Sequence, residues 1–162
     1  MSADLLDSRV RDALVRLGVV HQVFACDPDL ADTAAFCAHF GFSLEQAANT
    51  ILVASKKLDP VRYAVCVVLG TTRLDVNHKV SELLGVKRLS FADAEVTKEL
   101  TGMMIGGVTA FGIEGLPIYV DAAVMEQSQV VMGGGNRSSK LLLAPAELLK
   151  LHTASVVDGL AR

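Results

Sequence analysis

No apolar run in this 162-residue sequence approaches the ~18 to 20 residues that a membrane-spanning helix needs, and stretches such as Tyr63 to Gly70 stop far short. A bilayer-crossing chain is excluded. Nor does the chain open with the basic residues and apolar run of a secretory signal, because Asp4 and Asp7 stand there, so a cytoplasmic address is expected. Cysteine is scarce and odd in number. Cys26, Cys37 and Cys66 have neither the close pairing of a zinc site nor the pattern of a disulfide framework, and read as reduced, buried thiols. His21, His39, His78 and His152 lack metal-ligand spacing, so no metal and no cofactor is expected. Positive charge is not in excess either. Against 18 Asp+Glu the 15 Lys+Arg leave a formal charge of −3, which excludes a general nucleic-acid coat but leaves room for a local basic face.

What is present is an aliphatic core. With 51% hydrophobic residues the composition is that of a folded protein, and a chain of this length buries roughly 70% of its unfolded surface. No repeat, low-complexity tract or linker interrupts it, so residues 1–162 are read as one domain. Helical spacing of Leu5, Leu6, Val10, Ala13, Leu14 and Leu17 ahead of Gly18 predicts a first helix. Strands are expected at Val19 to Ala25, Thr50 to Ala54, Arg62 to Leu69, Ile118 to Val120, Gln129 to Met132 and Leu141 to Leu143. Further helices are expected at Ala31 to Phe40, from Ser43 to about Asn49, around Val80 to Leu84, at Ala94 to Leu100 and from Pro145 to Leu151. The two strands around the Lys56 to Pro60 turn predict a hairpin. The fold class is mixed α/β (α+β), a single domain with a mixed β-sheet surrounded by helices.

Two glycine-dense segments stand out, Gly106 to Gly112 and Gly133 to Lys140. The second lacks both the Gly-Lys-Ser/Thr order of a phosphate loop and the third glycine of a dinucleotide fingerprint. Glycine is the default turn residue, and it also lets a backbone approach a ligand and aim N–H groups at an oxyanion. The residues alone admit both.

Glu45 to Val53, Leu74-Asp75 ahead of Lys79-Val80 and Leu84 to Arg88, Leu100-Thr101-Gly102 with Gly106-Gly107-Val108, Leu116 to Asp121, and Gly134-Gly135 occur in this order over nearly the whole chain. In that order they resemble the YbaK/ProX family, free-standing relatives of the editing domain of bacterial prolyl-tRNA synthetases. The resemblance implies a trans-editing deacylase that hydrolyses the ester of a mischarged tRNA carrying a small amino acid such as Cys or Ala. Its partners would be the tRNA acceptor end and an aminoacyl-tRNA synthetase. Such editing is needed because a hydrophobic pocket rejects a slightly smaller competitor by only about 1 to 3 kcal/mol. The resemblance assigns catalysis to Asn49 and to the backbone of Gly106, Gly107 and Val108, with a positioned water and the ribose hydroxyl of the substrate in place of a protein nucleophile. His21, Thr50, Lys79, Thr109, Ala110, Phe111, Gly134, Gly135, Arg137 and Lys140 are the residues expected around the substrate.

The pattern breaks at several places. The lysine that the family carries ahead of its Thr/Ser-Leu strand entrance is Asn49 here, which can donate hydrogen bonds but carries no charge. Ala110 stands for a proline, Gly133 for a serine and Lys140 for an acidic residue. Lys56 and Lys57 lie over ~20 Å along the strand from Asn49, too far to replace the missing charge. Lys79 and Lys140 are the remaining substitutes, each also readable as a solvated surface lysine. Arg73, Lys79, Lys87, Arg88, Arg137 and Lys140 compose a candidate basic rim for the acceptor end. The departure at Asn49 supports an alternative, a module that binds aminoacyl-tRNA or a small ligand without hydrolysis. Hydrolysis of another small acyl ester is a third reading.

Overall fold

In a computed structural model the described residues are 5–162, so Asp4 lies outside them. Helix α1 (Ser8–Leu17) buries Val10, Ala13 and Leu14 along one stripe. It starts later than Leu5 because the Asp7 carboxylate accepts the Arg9 N–H and caps it there. Gly18 ends it in the left-handed region, and the Val19 N–H returns to Leu14 O, so Val19 belongs to the cap and strand β1 (Gln22–Ala25) is shorter than expected. Helix α2 (Thr33–Phe40) starts beyond Ala31, since a 3-10 turn at Pro28–Leu30 comes first.

The Ser43 to Gln46 capping signature is present, with the Ser43 N–H donating to Gln46 Oε1 at 3.1 Å. It opens only a 3-10 turn, because strand β2 (Ala48–Ser55) begins directly after it. Asn49 is therefore a strand residue. The expected hairpin forms with β3 (Tyr63–Leu69), in antiparallel register from Ala48 opposite Leu69 to Ala54 opposite Tyr63. Asp75 caps a π-helical turn (Val76–Val80) that runs into α3 (Ser81–Leu84), and Asp93 caps α4 (Ala94–Thr101). The expected C-terminal helix is instead a 3-10 segment, Pro145–Lys150.

Strands β4 (Leu89–Phe91), β5 (Ile118–Asp121) and β8 (Ala154–Val157) complete a mixed five-stranded sheet of order β4-β2-β3-β5-β8, in which β3, β5 and β8 run parallel. Strands β6 (Val130–Gly133) and β7 (Ser139–Leu143) join β1 in a second, antiparallel sheet of order β1-β7-β6. A bridge between Ala47 and Val131 links the two sheets. Strands β4 and β8 and the short helix α5 (Ala122–Met125) carry no signal in the sequence reading.

Strand β3 explains its own apolar run. Val65, Val67 and Leu69 enter one hydrophobic cluster with α1 and β7, while Ala64, Cys66 and Val68 enter another with Leu74, Leu84 and Leu160. Both faces are covered, so alternation disappears. Cys66 lies fully inside, and burial pushes its thiol up to about 12. All three cysteines are free and buried. Among the described residues no helix is long and apolar enough to cross a membrane.

The cap of α4 offers a local test. Asp93 Oδ1 accepts the Val96 N–H at 2.8 Å, and Asp93→Ala leaves that donor open. The expected loss is about 1 kcal/mol, read as a Tm drop of about 2–4 °C. An unchanged Tm would show that the cap contributes nothing.

Candidate functional site

The seam between the two sheets holds a cavity of about 460 Å³, walled by α2, β2, β6 and the loop before β5. Its apolar lining includes Phe36, Leu52, Val131 and Met132, and its polar lining includes Thr33, Asn49, Thr50 and Lys140. Asn49 is fixed from across the cavity, where Thr33 Oγ1 donates to Asn49 Oδ1 at 2.7 Å. That bond occupies the carbonyl end of the amide and leaves the Nδ2 donors for a ligand. Thr50 Oγ1 is buried and has no hydrogen-bond partner among the described residues. A buried hydroxyl without a partner costs free energy.

Lys140 enters the lining from β7. It is 6% exposed, so the surface reading of this lysine is overturned. Its Nζ donates to Ala31 O and, at 2.8 Å, to Gly106 O, and it stands 5.6 Å from the centre of the Phe36 ring. Burial holds its pKa below the ordinary lysine value, with Arg137 adding to the fall and Asp32 among the groups opposing it. Two of its three donors are used, and one remains. Cys37 also lines the cavity, but burial raises its pKa, so it is a thiol rather than a ready nucleophile.

The two glycine segments are packed backbone against backbone. Gly135 N–H donates to Gly107 O at 2.7 Å, and a Cβ on Gly133 would stand 2.6 Å from Val108 O. The Gly107 N–H is spent on Met104 O within its own turn. Gly106 and Val108 line the cavity, and neither N–H has a partner among the described residues. Close approach of two chains, not turn formation alone, accounts for Gly107 and Gly133.

Of the residues singled out in the sequence, Asn49, Thr50, Gly106, Val108 and Lys140 meet in this cavity. Thr109, Ala110 and Phe111 are fully buried behind the loop, and Gly134 and Gly135 pack against Leu6, Asp7 and Val10. His21 turns its Nδ1 to Val19 O, and Lys79 lies in the π-helical turn, both away from the lining. Arg137 braces the rim, donating to Pro28 O, Ile105 O and Asp32 Oδ1. The sequence reading missed Asp32, Thr33, Phe36 and Phe91 as lining residues. Their only signal was position on or beside an apolar helix and an unrecognised strand. Among the described residues no group of three His, Cys, Asp or Glu side chains is placed to hold a metal.

The chain is similar to a candidate Cys-tRNA(Pro)/Cys-tRNA(Cys) deacylase of Enterococcus faecalis (strain ATCC 700802 / V583), EbsC, at 24% identity over 83% of this chain and 80% of that protein. Its fold matches the crystal structure of a candidate trans-editing enzyme for prolyl-tRNA synthetase, with a TM-score of 0.80 and 29% identity over 97% of this chain and 95% of the other. It also matches that of the hypothetical protein APE2540, with a TM-score of 0.84 and 24% identity over 96% of this chain and the whole of the other. The family model of the aminoacyl-tRNA editing domain matches residues 27–151, a span that contains every residue named above as lining the cavity, and the chain belongs to that family, the YbaK type.

Proposed function

We propose that the protein is a trans-acting deacylase that hydrolyses the ester linking a small amino acid, such as Cys or Ala, to the 3′ end of a mischarged tRNA. The observation that carries this reading is that Asn49, Thr50, Lys140, Gly106 and Val108 line one cavity, the last two with N–H groups that no carbonyl takes among the described residues. In the proposed step a water adds to the aminoacyl carbonyl and the ester C–O bond breaks. The free amino acid leaves, and the proton of the water passes to the departing ribose oxygen. The Gly106 and Val108 N–H groups receive the charge that develops on the carbonyl oxygen, and Asn49 Nδ2 orients the ester or its ribose. Lys140 supplies the positive charge that position 49 lacks. A cavity of about 460 Å³ has to hold the terminal ribose as well as the aminoacyl group, which favours a short side chain. The similarity to EbsC and to the trans-editing structure supports the same chemistry and a synthetase as partner.

A panel of mischarged tRNAs presented to the purified protein tests this reading. Release of a small amino acid is expected, and Asn49→Ala should slow it by about tenfold or more, the scale of one lost positioning hydrogen bond. If no member of the panel is hydrolysed while a lysine-bearing relative is active, the enzyme reading fails. Activity that appears only in Asn49→Lys would favour a binding module instead.

A further inference from the structure

A second concavity, a cleft of about 620 Å³, opens at the far end of β2, between the β2–β3 turn and the loop that leads into β4. Lys56, Lys57, Arg62, Lys87 and Arg88 line it, against the single acid Asp59. None of these five cations forms an ion pair among the described residues, whereas Arg16, Arg137, Lys150 and Arg162 are each matched with a carboxylate. In a chain of net charge −3 this is a concentrated field of one sign, held on ordered backbone. Lys56 N–H donates to Arg88 O, tying the two walls together, and Arg62 Nη1 donates to Leu84 O at 2.6 Å. That bond holds the guanidinium of this exposed arginine and leaves its other donors unused, in the fork that matches a phosphate.

Lys56, the first residue past β2, lies seven residues from Asn49, a span of ~23 Å at strand rise. That is too far to touch an ester in the cavity, yet within reach of a polymer whose end the cavity holds. We propose that this cleft grips the phosphate backbone of RNA, as a second anchor for the strand whose aminoacylated end occupies the cavity. The inference rests on the deacylase reading for what sits in the cavity. A row of unpaired cations without an aromatic wall recognises a backbone, so base sequence should matter little here.

Binding of uncharged tRNA across a salt series tests the cleft without any hydrolysis. The double variants Lys56→Gln/Arg88→Gln and Lys57→Glu/Lys87→Glu are compared with Lys98→Glu, an exposed change on α4, and thermal unfolding confirms that each folds. At low salt the cleft variants should bind about tenfold or more weakly, and the slope of log affinity against log salt should fall by about one per cation removed. Lys98→Glu should leave both intact. The proposal is overturned if the cleft variants keep wild-type affinity and slope, or if Lys98→Glu weakens binding equally, which would make net charge the cause. A silent deacylation panel beside cleft-dependent binding would sink the enzyme reading alone, and hydrolysis beside cleft-independent binding would sink this one alone.

Discussion

Gly133→Ala is expected to cut deacylation by about a hundredfold, the order of loss that a displacement near 1 Å brings to a positioned site. The new methyl would stand 2.6 Å from Val108 O and 2.7 Å from Gly107 O, both backbone atoms of the loop that lines the cavity. No side chain can swing aside to make room. The loop has to move, and with it the Gly106 and Val108 N–H groups to which the proposed step assigns the carbonyl oxygen. Overpacking of this kind costs about 1–3 kcal/mol, so unfolding should also shift to lower temperature. Gly115→Ala separates the two effects. Its Cβ meets nothing within 4 Å, but a φ of 76° strains any side chain, so it should lose about 1 kcal/mol of stability and keep its activity. If Gly133→Ala retains activity within a few fold of wild type, the close approach of the two loops is not what positions the donors.

That contrast also marks what the amino-acid order makes legible. Where local chemistry dictates structure it could be read: the Gly18, Gly41, Gly85 and Gly102 helix ends all adopt left-handed conformations, and the buried run of β3 lies at the centre of its sheet. Short edges could not. Leu89–Phe91 and Ala154–Val157 are too brief and too mixed to announce themselves, and they exist because β2 and β5 offer open edges to pair with. The capping signal at Ser43 was sound, but tertiary pairing of Ala48 with Leu69 stopped the helix after one turn and turned Asn49 into a strand residue. The glycine segments were visible as unusual, while the reason, one backbone lying against another, needs two distant segments at once. Lys140 was the least legible. Ser138-Ser139-Lys140 reads as the polar tail of a loop, yet Ser139 and Lys140 are buried members of β7 paired with Ala25 and Phe24. No local pattern distinguishes a lysine that points inward.

Replacing that lysine by methionine tests the centre of the proposal. Lys140→Met keeps the length of the side chain and removes its charge, and deacylation should fall by about 10² to 10³ fold, the loss seen when one preorganised electrostatic partner is taken from a reacting carbonyl. Stability should move little. The variant gives up the hydrogen bonds to Ala31 O and Gly106 O, roughly 1.5–3 kcal/mol each as charge-assisted bonds, but it also relieves the burial of an ammonium, a penalty of several kcal/mol. A large loss of activity without a matching loss of Tm is the signature of a residue kept for the reaction. The pH dependence has a definite sign. Because the folded-state pKa lies below the unfolded lysine value of 10.5, the burial penalty is fully present while both states are protonated. It is relieved as pH rises from the folded pKa toward 10.5, so Lys140 makes the protein more stable there even as it loses its charge. Enzyme-dependent hydrolysis, after subtraction of the spontaneous alkaline rate, should therefore decline at a pH below the ordinary lysine range. Lys140→Arg should lose that alkaline limb, since a guanidinium stays charged throughout. If Lys140→Met hydrolyses mischarged tRNA at the wild-type rate, the charge is not used and the cavity must work through its neutral donors alone.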